Sequence, residues 1–254
     1  MHTTLLRRQG FTLIELLTVI AVIGILAAII IPTVGKVRET TQRTVDANNL
    51  RELAKAATIY ATENRDALPN PDQTGRAITG GQKYHQWFGQ LAKYTGFNDP
   101  ALLVSKNDGA VDATQLPPTI MDPSDAAGQA LQTEFAALAA TTFNVVGGLR
   151  LNDPATTPLA FSRGLKTDGT WNATGTQADD VAIGPYKDSG GHVVFLGGNV
   201  QFFSNLNQAL IANTGQTTSD LRQAVPNRST VKIYGRDSAN GVASDAGTAA
   251  VAGP

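Results

Sequence analysis

Glu15 is the residue whose chemistry agrees least with its surroundings. It is a carboxylate near the start of an almost purely apolar run, Phe11 to Val34, that follows two arginines and a glycine. An acidic side chain in a membrane-spanning segment costs about 2.5–3.5 kcal/mol on insertion scales, so it is retained mostly where it has a partner or a task. This position therefore predicts that Glu15 pairs with a cation.

The apolar run itself predicts a membrane span. Its 24 residues would form a helix of roughly 36 Å, which exceeds a hydrocarbon core about 30 Å thick. Arg7 and Arg8 precede the run and place its start on the cytoplasmic side. A secretory signal peptide is disfavoured, because its apolar core is only about 7–15 residues and its cleavage site follows that core. A plain membrane anchor explains the length and the arginines but not Glu15.

Gly10 and the Phe-Thr-Leu-Ile-Glu that follows it resemble the class III signal peptide of type IV pilins and type II secretion pseudopilins, and the likeness covers about residues 7–65. The resemblance implies that a prepilin peptidase cuts after Gly10 and methylates the new amine of Phe11. It also implies that Glu15 pairs with the Phe11 amine of a neighbouring subunit during assembly.

The pattern beyond the apolar run predicts that one long helix continues from about Thr12 to Glu63. Small and large apolar side chains recur there at mostly three- and four-residue spacing and predict one buried stripe, made of Val34, Val37, Val45, Leu50, Leu53, Ala54, Ala57 and Tyr60. Glu39 and Arg43 form an i,i+4 pair in the favourable order. By the same resemblance, Gly24 and Pro32 occupy positions where pilins carry helix-weakening residues.

Composition limits the possible partners. The chain has 20 basic and 21 acidic residues, and removal of Arg7 and Arg8 with the leader leaves 18 and 21. No basic excess is available to bind nucleic acid. Cysteine is absent, whereas many type IV pilins close their C-terminal region with a disulfide. This departure favours a pseudopilin, stabilised by packing or by a bound cation.

The sequence predicts no enzyme. Only His85 and His192 would remain after processing, and the chain has no nucleophile-elbow, Walker-type or His-x-x-x-His pattern. Both histidines are therefore interpreted as surface or satisfied core residues, and no catalytic residue is assigned.

Acidic residues in glycine-rich loops are the only metal candidates. Calcium prefers carboxylate and carbonyl oxygens, which Asp168, Asp179, Asp180 and Asp188 could supply. A calcium site is a feature of major pseudopilins, but this chain shows no clear match to it. We favour the alternative, in which these are solvated turn aspartates and the chain has no cofactor.

The region after the long helix predicts a mixed α and β head. A short helix should include Trp87, Leu91 and Tyr94 and end at Gly96, and a second helix should begin near Ser124. Strands are predicted over 143–151, interrupted by two glycines, over 158–162 and over 230–234.

Residues 192–203 predict a hairpin, because two β-rich runs flank Gly197-Gly198. With those glycines as a two-residue loop, Phe195 would pair with Val200, and Val193 with Phe202. The resulting apolar face should pack on the stripe of the long helix.

The expected fold is therefore α+β and pilin-like, with a long N-terminal helix on a head with a small antiparallel sheet. The predicted divisions are a leader (1–10), a transmembrane half-helix (11–34), an amphipathic half-helix (35–66), a head (67–235) and a flexible tail (236–254).

The expected function is that of a structural filament subunit, first of a type II secretion system. The alternatives are a surface pilin for adhesion, twitching or DNA uptake, and, more distantly, a membrane-anchored binding or enzymatic domain. The resemblance implies three kinds of partner: prepilin peptidase, pilin-like subunits, and secretion or pilus assembly machinery. It also implies a single-pass location in the bacterial inner membrane, with the head in the periplasm or on an extracellular filament.

Overall fold

The computed structural model describes residues 12–172, 183–236 and 241–251. The chain forms two units, which divide between Arg43 and Thr44. One helix, α1 (Leu13–Glu63), contributes residues to both units. It begins one residue after the predicted start and ends at the predicted residue, so the long helix is confirmed.

In the first unit, α1 presents apolar side chains on all sides. From Leu13 to Val34 every large apolar side chain that is described is at least 49% exposed. The predicted pair of Glu39 Oε1 and Arg43 Nη2 is present at 2.5 Å. The prediction that Val34 and Val37 belong to a buried stripe is wrong: they are 56% and 64% exposed, because no other described element of this unit covers them.

In the second unit, α1 has one buried face. Its fully buried members include Asp46, Leu50, Leu53, Ala57 and Tyr60. Val45 was predicted to share this face but is 43% exposed. The reason is geometric, since Val45 is one position from Asp46 and therefore lies about 100° around the helix from it.

The second helix, α2 (Lys83–Thr95), agrees with the prediction. Gln82 and His85 form a capping box at its start, and Gly96 ends it in the left-handed region at φ 75°, a conformation that glycine adopts without steric cost. Trp87 and Leu91 are fully buried.

The expected second helix near Ser124 is largely absent. Only α3 (Thr133–Ala136) is helical in that part of the chain. The Asp125 carboxylate instead accepts the backbone N–H groups of Ala127, Gln129 and Ala130 at 2.6–3.0 Å. An aspartate that binds the backbone ahead of it favours a turn over a helix, and this turn replaces the predicted N-terminal half.

The described residues of the second unit also form eight strands and the short helix α4 (Leu221–Ala224). They are β1 (Phe143–Gly147), β2 (Pro158–Ser162), β3 (Gly191–Phe195), β4 (Val200–Phe203), β5 (Leu210–Ile211), β6 (Thr217–Thr218), β7 (Lys232–Tyr234) and β8 (Thr248–Ala249). Six form an antiparallel sheet in the order β4-β3-β2-β1-β7-β8, and β5 pairs with β6. Side chains from α1, α2 and this sheet share one hydrophobic core, which confirms the α+β layout.

The β3–β4 hairpin exists, but its predicted register is wrong by one residue. Val194 lies opposite Val200 and His192 opposite Phe202, and the Phe195 N–H donates to the Asn199 carbonyl at 2.9 Å. The loop therefore has three residues, with only Gly198 at positive φ (82°), as in a turn closed by a glycine bulge. A one-residue slip reverses the faces, so Phe195 and Phe202 lie on opposite sides of the sheet.

Part of the segment predicted to be a flexible tail is folded. The backbone of β8 pairs with β7 through Lys232–Ala249 and Ile233–Thr248, and Val242 is fully buried. A low content of large side chains does not prevent strand pairing, because pairing uses backbone groups that alanine and threonine also possess. The prediction of a flexible tail was therefore wrong for this part.

A buried ion pair connects distant parts of the second unit. Arg163 Nη2 and Asp108 Oδ1 are 2.7 Å apart, with side chains 1% and 0% exposed. Arg163 also donates to the carbonyls of Thr141 and Ile183, and Thr142 Oγ1 donates to the second Asp108 oxygen at 2.7 Å. Such a pair is tolerated in an interior only when its remaining donors and acceptors are satisfied, as they are here.

Candidate functional site

The Glu15 carboxylate lies at the N-terminus of α1. Its Oε2 accepts the Thr12 N–H at 2.8 Å and the Thr12 hydroxyl at 2.7 Å. In return, the Glu15 N–H donates to the Thr12 Oγ1 at 3.2 Å. These reciprocal bonds form a capping box, in which a threonine and a glutamate three residues later satisfy each other's backbone donors.

The capping box positions Glu15 and leaves part of it available. Both bonds from Thr12 end on Oε2, so Oε1 can accept a further donor. In the part of the chain that the structure describes, no Lys, Arg or His nitrogen lies within ion-pair distance of Glu15. A cation for this carboxylate must therefore come from outside those residues.

Sequence reasoning missed Thr12, although its signal was readable. A Thr-x-x-Glu pattern immediately before an apolar periodic run indicates a helix start, and Thr12 and Glu15 have that spacing. Gly10 and Phe11, the predicted cleavage and methylation positions, lie outside the described residues. Their roles stay predictions.

Gly24 and Pro32 both lie inside the continuous helix α1. A side chain added at Gly24 would meet no atom within 4 Å, so packing within this chain does not explain the glycine. Proline has no backbone N–H and removes one helical hydrogen bond. The proposed helix-weakening role of both residues agrees with these properties and is still a prediction.

Helix α1 is long and apolar enough to span a membrane, the one helix of this kind among the described residues. Together with the exposed apolar side chains, this places the Glu15 carboxylate at one end of a surface suited to lipid or to other apolar helices.

Two of the four candidate aspartates, Asp168 and Asp188, lie in the described residues. Asp168 accepts the N–H and hydroxyl of Thr170 at 2.9 and 2.6 Å, as a turn residue does, and Asp188 belongs to a 3₁₀ turn. Asp179 and Asp180 lie outside the described residues. No group of three potential metal ligands occurs among those that are described. The choice between solvated turn aspartates, which we favour, and a calcium site is untested.

Both histidines are buried in the second unit. His85 is fully buried, and its Nδ1 accepts the Gln82 N–H at 3.0 Å. Burial lowers the pKa of His85 from 6.5 to about 3, so this ring is neutral at physiological pH. His192 packs edge-on against Phe202 with ring centres 5.0 Å apart.

A polar contact between α1 and the segment before β3 was also missed. The Tyr186 hydroxyl donates to Asp46 Oδ2 at 2.6 Å, and both side chains are buried. The Tyr186 ring also packs against His192 and Phe202. The two bonded residues are 140 positions apart, so no local pattern could have paired them.

Comparison with known proteins places the likeness at the N-terminus. Residues 5–31 match the family described as the prokaryotic N-terminal methylation motif. The type IV major pilin protein PilA of Myxococcus xanthus is 37% identical over 78 residues, which make up 31% of this chain and 36% of that protein. No solved structure matches the chain.

Two further relatives come from different systems. The type II secretion system core protein G of Pseudomonas aeruginosa is 34% identical over 87 residues, 32% of this chain and 61% of that protein. The type IV wide pilus major component PilA4 of Thermus thermophilus is 42% identical over 62 residues, 24% of this chain and 47% of that protein. The chain thus matches less than two thirds of the length of each.

We expect protonation of His85 to destabilise the second unit. In the unfolded chain a histidine titrates near pH 6.5, whereas the folded pKa of His85 is about 3. The unfolded state therefore binds more protons between these values, and the free energy of unfolding falls as the pH drops below about 6.5. At pH 5 the loss is about 2 kcal/mol.

Denaturant unfolding of the detergent-solubilised chain at pH 7 and pH 5 measures this loss. His85→Asn keeps an acceptor for the Gln82 N–H but does not titrate, so its stability should change less between the two pH values. An equal drop in both proteins would show that His85 is not the responsible group.

Proposed function

We propose that this chain, which belongs through its N-terminal segment to the type IV pilin and pseudopilin family, is a structural subunit of a pilus-like filament. The observation that carries the proposal is the Glu15 carboxylate, held by Thr12 at the end of an apolar helix with one oxygen still available. A membrane anchor alone needs Glu15 only for the capping box, which a glutamine could form as well.

In this proposal the subunit lies first in the membrane and then in the filament, and the same apolar surface of α1 is covered in both locations. In the inner membrane, lipid covers the apolar side chains of Leu13 to Val34. In the filament, the corresponding helices of other subunits replace the lipid. The head would lie in the periplasm or on the outside of the filament.

Prepilin peptidase would create the cation that Glu15 needs. Cleavage after Gly10 leaves an ammonium group on Phe11, and methylation keeps its charge. In our proposal the available Oε1 of Glu15 pairs with this group on a neighbouring subunit. In apolar surroundings, the loss of one partner of an ion pair leaves an uncompensated charge at a cost of roughly 3–5 kcal/mol. The pair therefore favours arrangements of the two subunits in which both charged groups meet.

Between the two systems of the family, we propose a type II secretion pseudopilin whose filament drives protein export. The absence of cysteine supports this choice, as does the likeness to core protein G. The alternative is a surface pilin for adhesion, twitching or DNA uptake, which the likeness to PilA and PilA4 favours. The assembly machinery differs between the two cases, but the role of Glu15 is the same.

Replacement of Glu15 should separate membrane insertion from assembly. Glu15→Leu removes a costly charge from the span, so membrane insertion should be unchanged or improved. Assembly should fall sharply, since the Phe11 ammonium would have no partner in an apolar bundle. Membrane fractionation and the yield of sheared filaments measure the two effects in parallel.

Glu15→Gln is the matched control for helix capping. Glutamine also serves in a capping box, so this variant keeps the bond to Thr12 and loses only the charge. It should insert like wild type and fail to assemble like Glu15→Leu, while mass spectrometry finds all three chains starting at methylated Phe11. Normal filament yield from Glu15→Gln would remove the ion pair from the proposal.

Deletion of the gene in its natural host should distinguish the two systems. For a pseudopilin, the mutant should lose specific secreted proteins and keep its surface pili. Quantitative mass spectrometry of the culture medium and electron microscopy of the cell surface read out both. Loss of pili or twitching with an unchanged secretome would instead assign the chain to a surface pilus.

A further inference from the structure

An open groove runs beside α1 in the second unit. It has a volume of about 670 Å³ and lies between the helix, the connection that follows β1 and the tip of the β3–β4 hairpin. Its lining includes Arg51, Lys55, Thr58 and Ile59 of the helix, Asp153 after β1, and Gly198 of the hairpin. Ile59 is 49% exposed. Gly198, on the edge of the groove opposite the helix, has no side chain that could cover it.

The charge on the helix side of the groove is positive. Arg51 donates to the Asn48 side-chain carbonyl at 2.6 Å, a neutral acceptor, and no carboxylate among the described residues forms an ion pair with it. Lys55 pairs with Glu52, and the one acidic residue of the lining, Asp153, is bound by both terminal nitrogens of Arg228. Arg51 is therefore available to a carboxylate of another molecule.

A second segment of the same unit carries an excess of acidic residues. Residues 99–134, here called the acidic loops, contain six acidic residues and a single base, Lys106. Asp108 is neutralised by Arg163 in the interior. The remaining acidic residues are Asp99, Asp112, Asp122, Asp125 and Glu134. The side chains that the acidic loops expose between them are small, mainly alanine, serine, threonine and proline.

The groove and residues 103–105 of the acidic loops lie at opposite ends of β1. Thr142, just before β1, accepts the Ser105 N–H on its hydroxyl and donates its own N–H to the Leu103 carbonyl at 2.9 Å. The groove residues instead follow the last residue of β1 or connect β3 to β4. Five strand residues therefore separate the two surfaces, a distance of about 13 Å or more.

From this arrangement we propose that the acidic loops of one copy dock in the groove of the next copy. The contact joins two different surfaces, so it is heterologous, and it repeats along a filament when its rotation does not close a ring. Small side chains of the acidic loops would cover the apolar floor around Ile59, and their carboxylates would face Arg51. The inference rests on the proposed filament function and specifies how the heads contact one another.

The absence of cysteine makes a direct test possible in the full chain. Two differently tagged copies are expressed together, one with Thr58→Cys in the groove and one with Gln115→Cys in the acidic loops; both positions are exposed. Sheared filaments are treated with a short bismaleimide. We expect a cross-linked dimer that carries both tags.

The matched control moves the groove cysteine to the end of the sheet that is opposite the β3–β4 loop. Ser204 is exposed and directly follows β4, at the end where β3 begins. Ser204→Cys paired with Gln115→Cys should give several-fold less cross-linked dimer than the Thr58→Cys pair. Equal yields from the two pairs, or filaments without the Thr58–Gln115 cross-link, would overturn the contact while the filament function stands.

Charge reversal tests whether Arg51 faces the carboxylates of the acidic loops. Arg51→Glu should reduce the cross-link several-fold, because like charges would then face each other. Lys106→Glu makes the acidic loops more acidic and should not reduce it. Equal losses in the two variants would overturn the proposed pairing. If the unmodified chain forms no filaments at all, the proposed function fails, and the contact fails with it.

Discussion

The side chains from Leu13 to Val34 present more apolar surface than the described residues of this chain cover. Fourteen large apolar residues in that range are each at least 49% exposed. At about 1.5–3 kcal/mol for the burial of each, leaving them in water would cost on the order of tens of kcal/mol, more than the 5–15 kcal/mol that typically stabilises a folded protein. The helix therefore requires lipid or other helices around it.

In the proposed filament, Glu15 would restrict the register of this otherwise non-directional surface. Apolar helices can slide along one another at little cost, because burial depends on area and not on register. A carboxylate that must meet a cation permits far fewer registers. The capping box with Thr12 fixes the position of that carboxylate before any partner arrives. The second unit holds its own part of α1 by a comparable polar contact, the bond from Tyr186 to the buried Asp46.

Features that depend on local sequence were predictable. The 3.6-residue period defined α1 and α2, and the cleavage motif and Glu15 were recognisable as a contiguous pattern. The predictions were wrong where the same residues are compatible with more than one local structure. Gly197-Gly198 permits loops of two or three residues, and the single positive φ at Gly198 selects the longer one. The turn at Asp125 and the helix predicted to begin near Ser124 start at the same place in the chain.

Contacts between distant positions could not be read from the sequence. Asp108 and Arg163 are 55 residues apart, and β8 is recognisable only through its pairing with β7. The groove beside Ile59 likewise combines three separate stretches of chain. The ion pair, strand β8 and the groove all depend on how the core is assembled. Composition and periodicity predict only the class of fold.

The most direct test of the central claim is a helical reconstruction of sheared filaments by electron cryomicroscopy. The account predicts that the Glu15 carboxylate lies within about 4 Å of the Phe11 nitrogen of an adjacent subunit, the distance of an ion pair. A well-resolved filament in which Glu15 bonds only to its own Thr12, with the Phe11 nitrogen elsewhere, would contradict it.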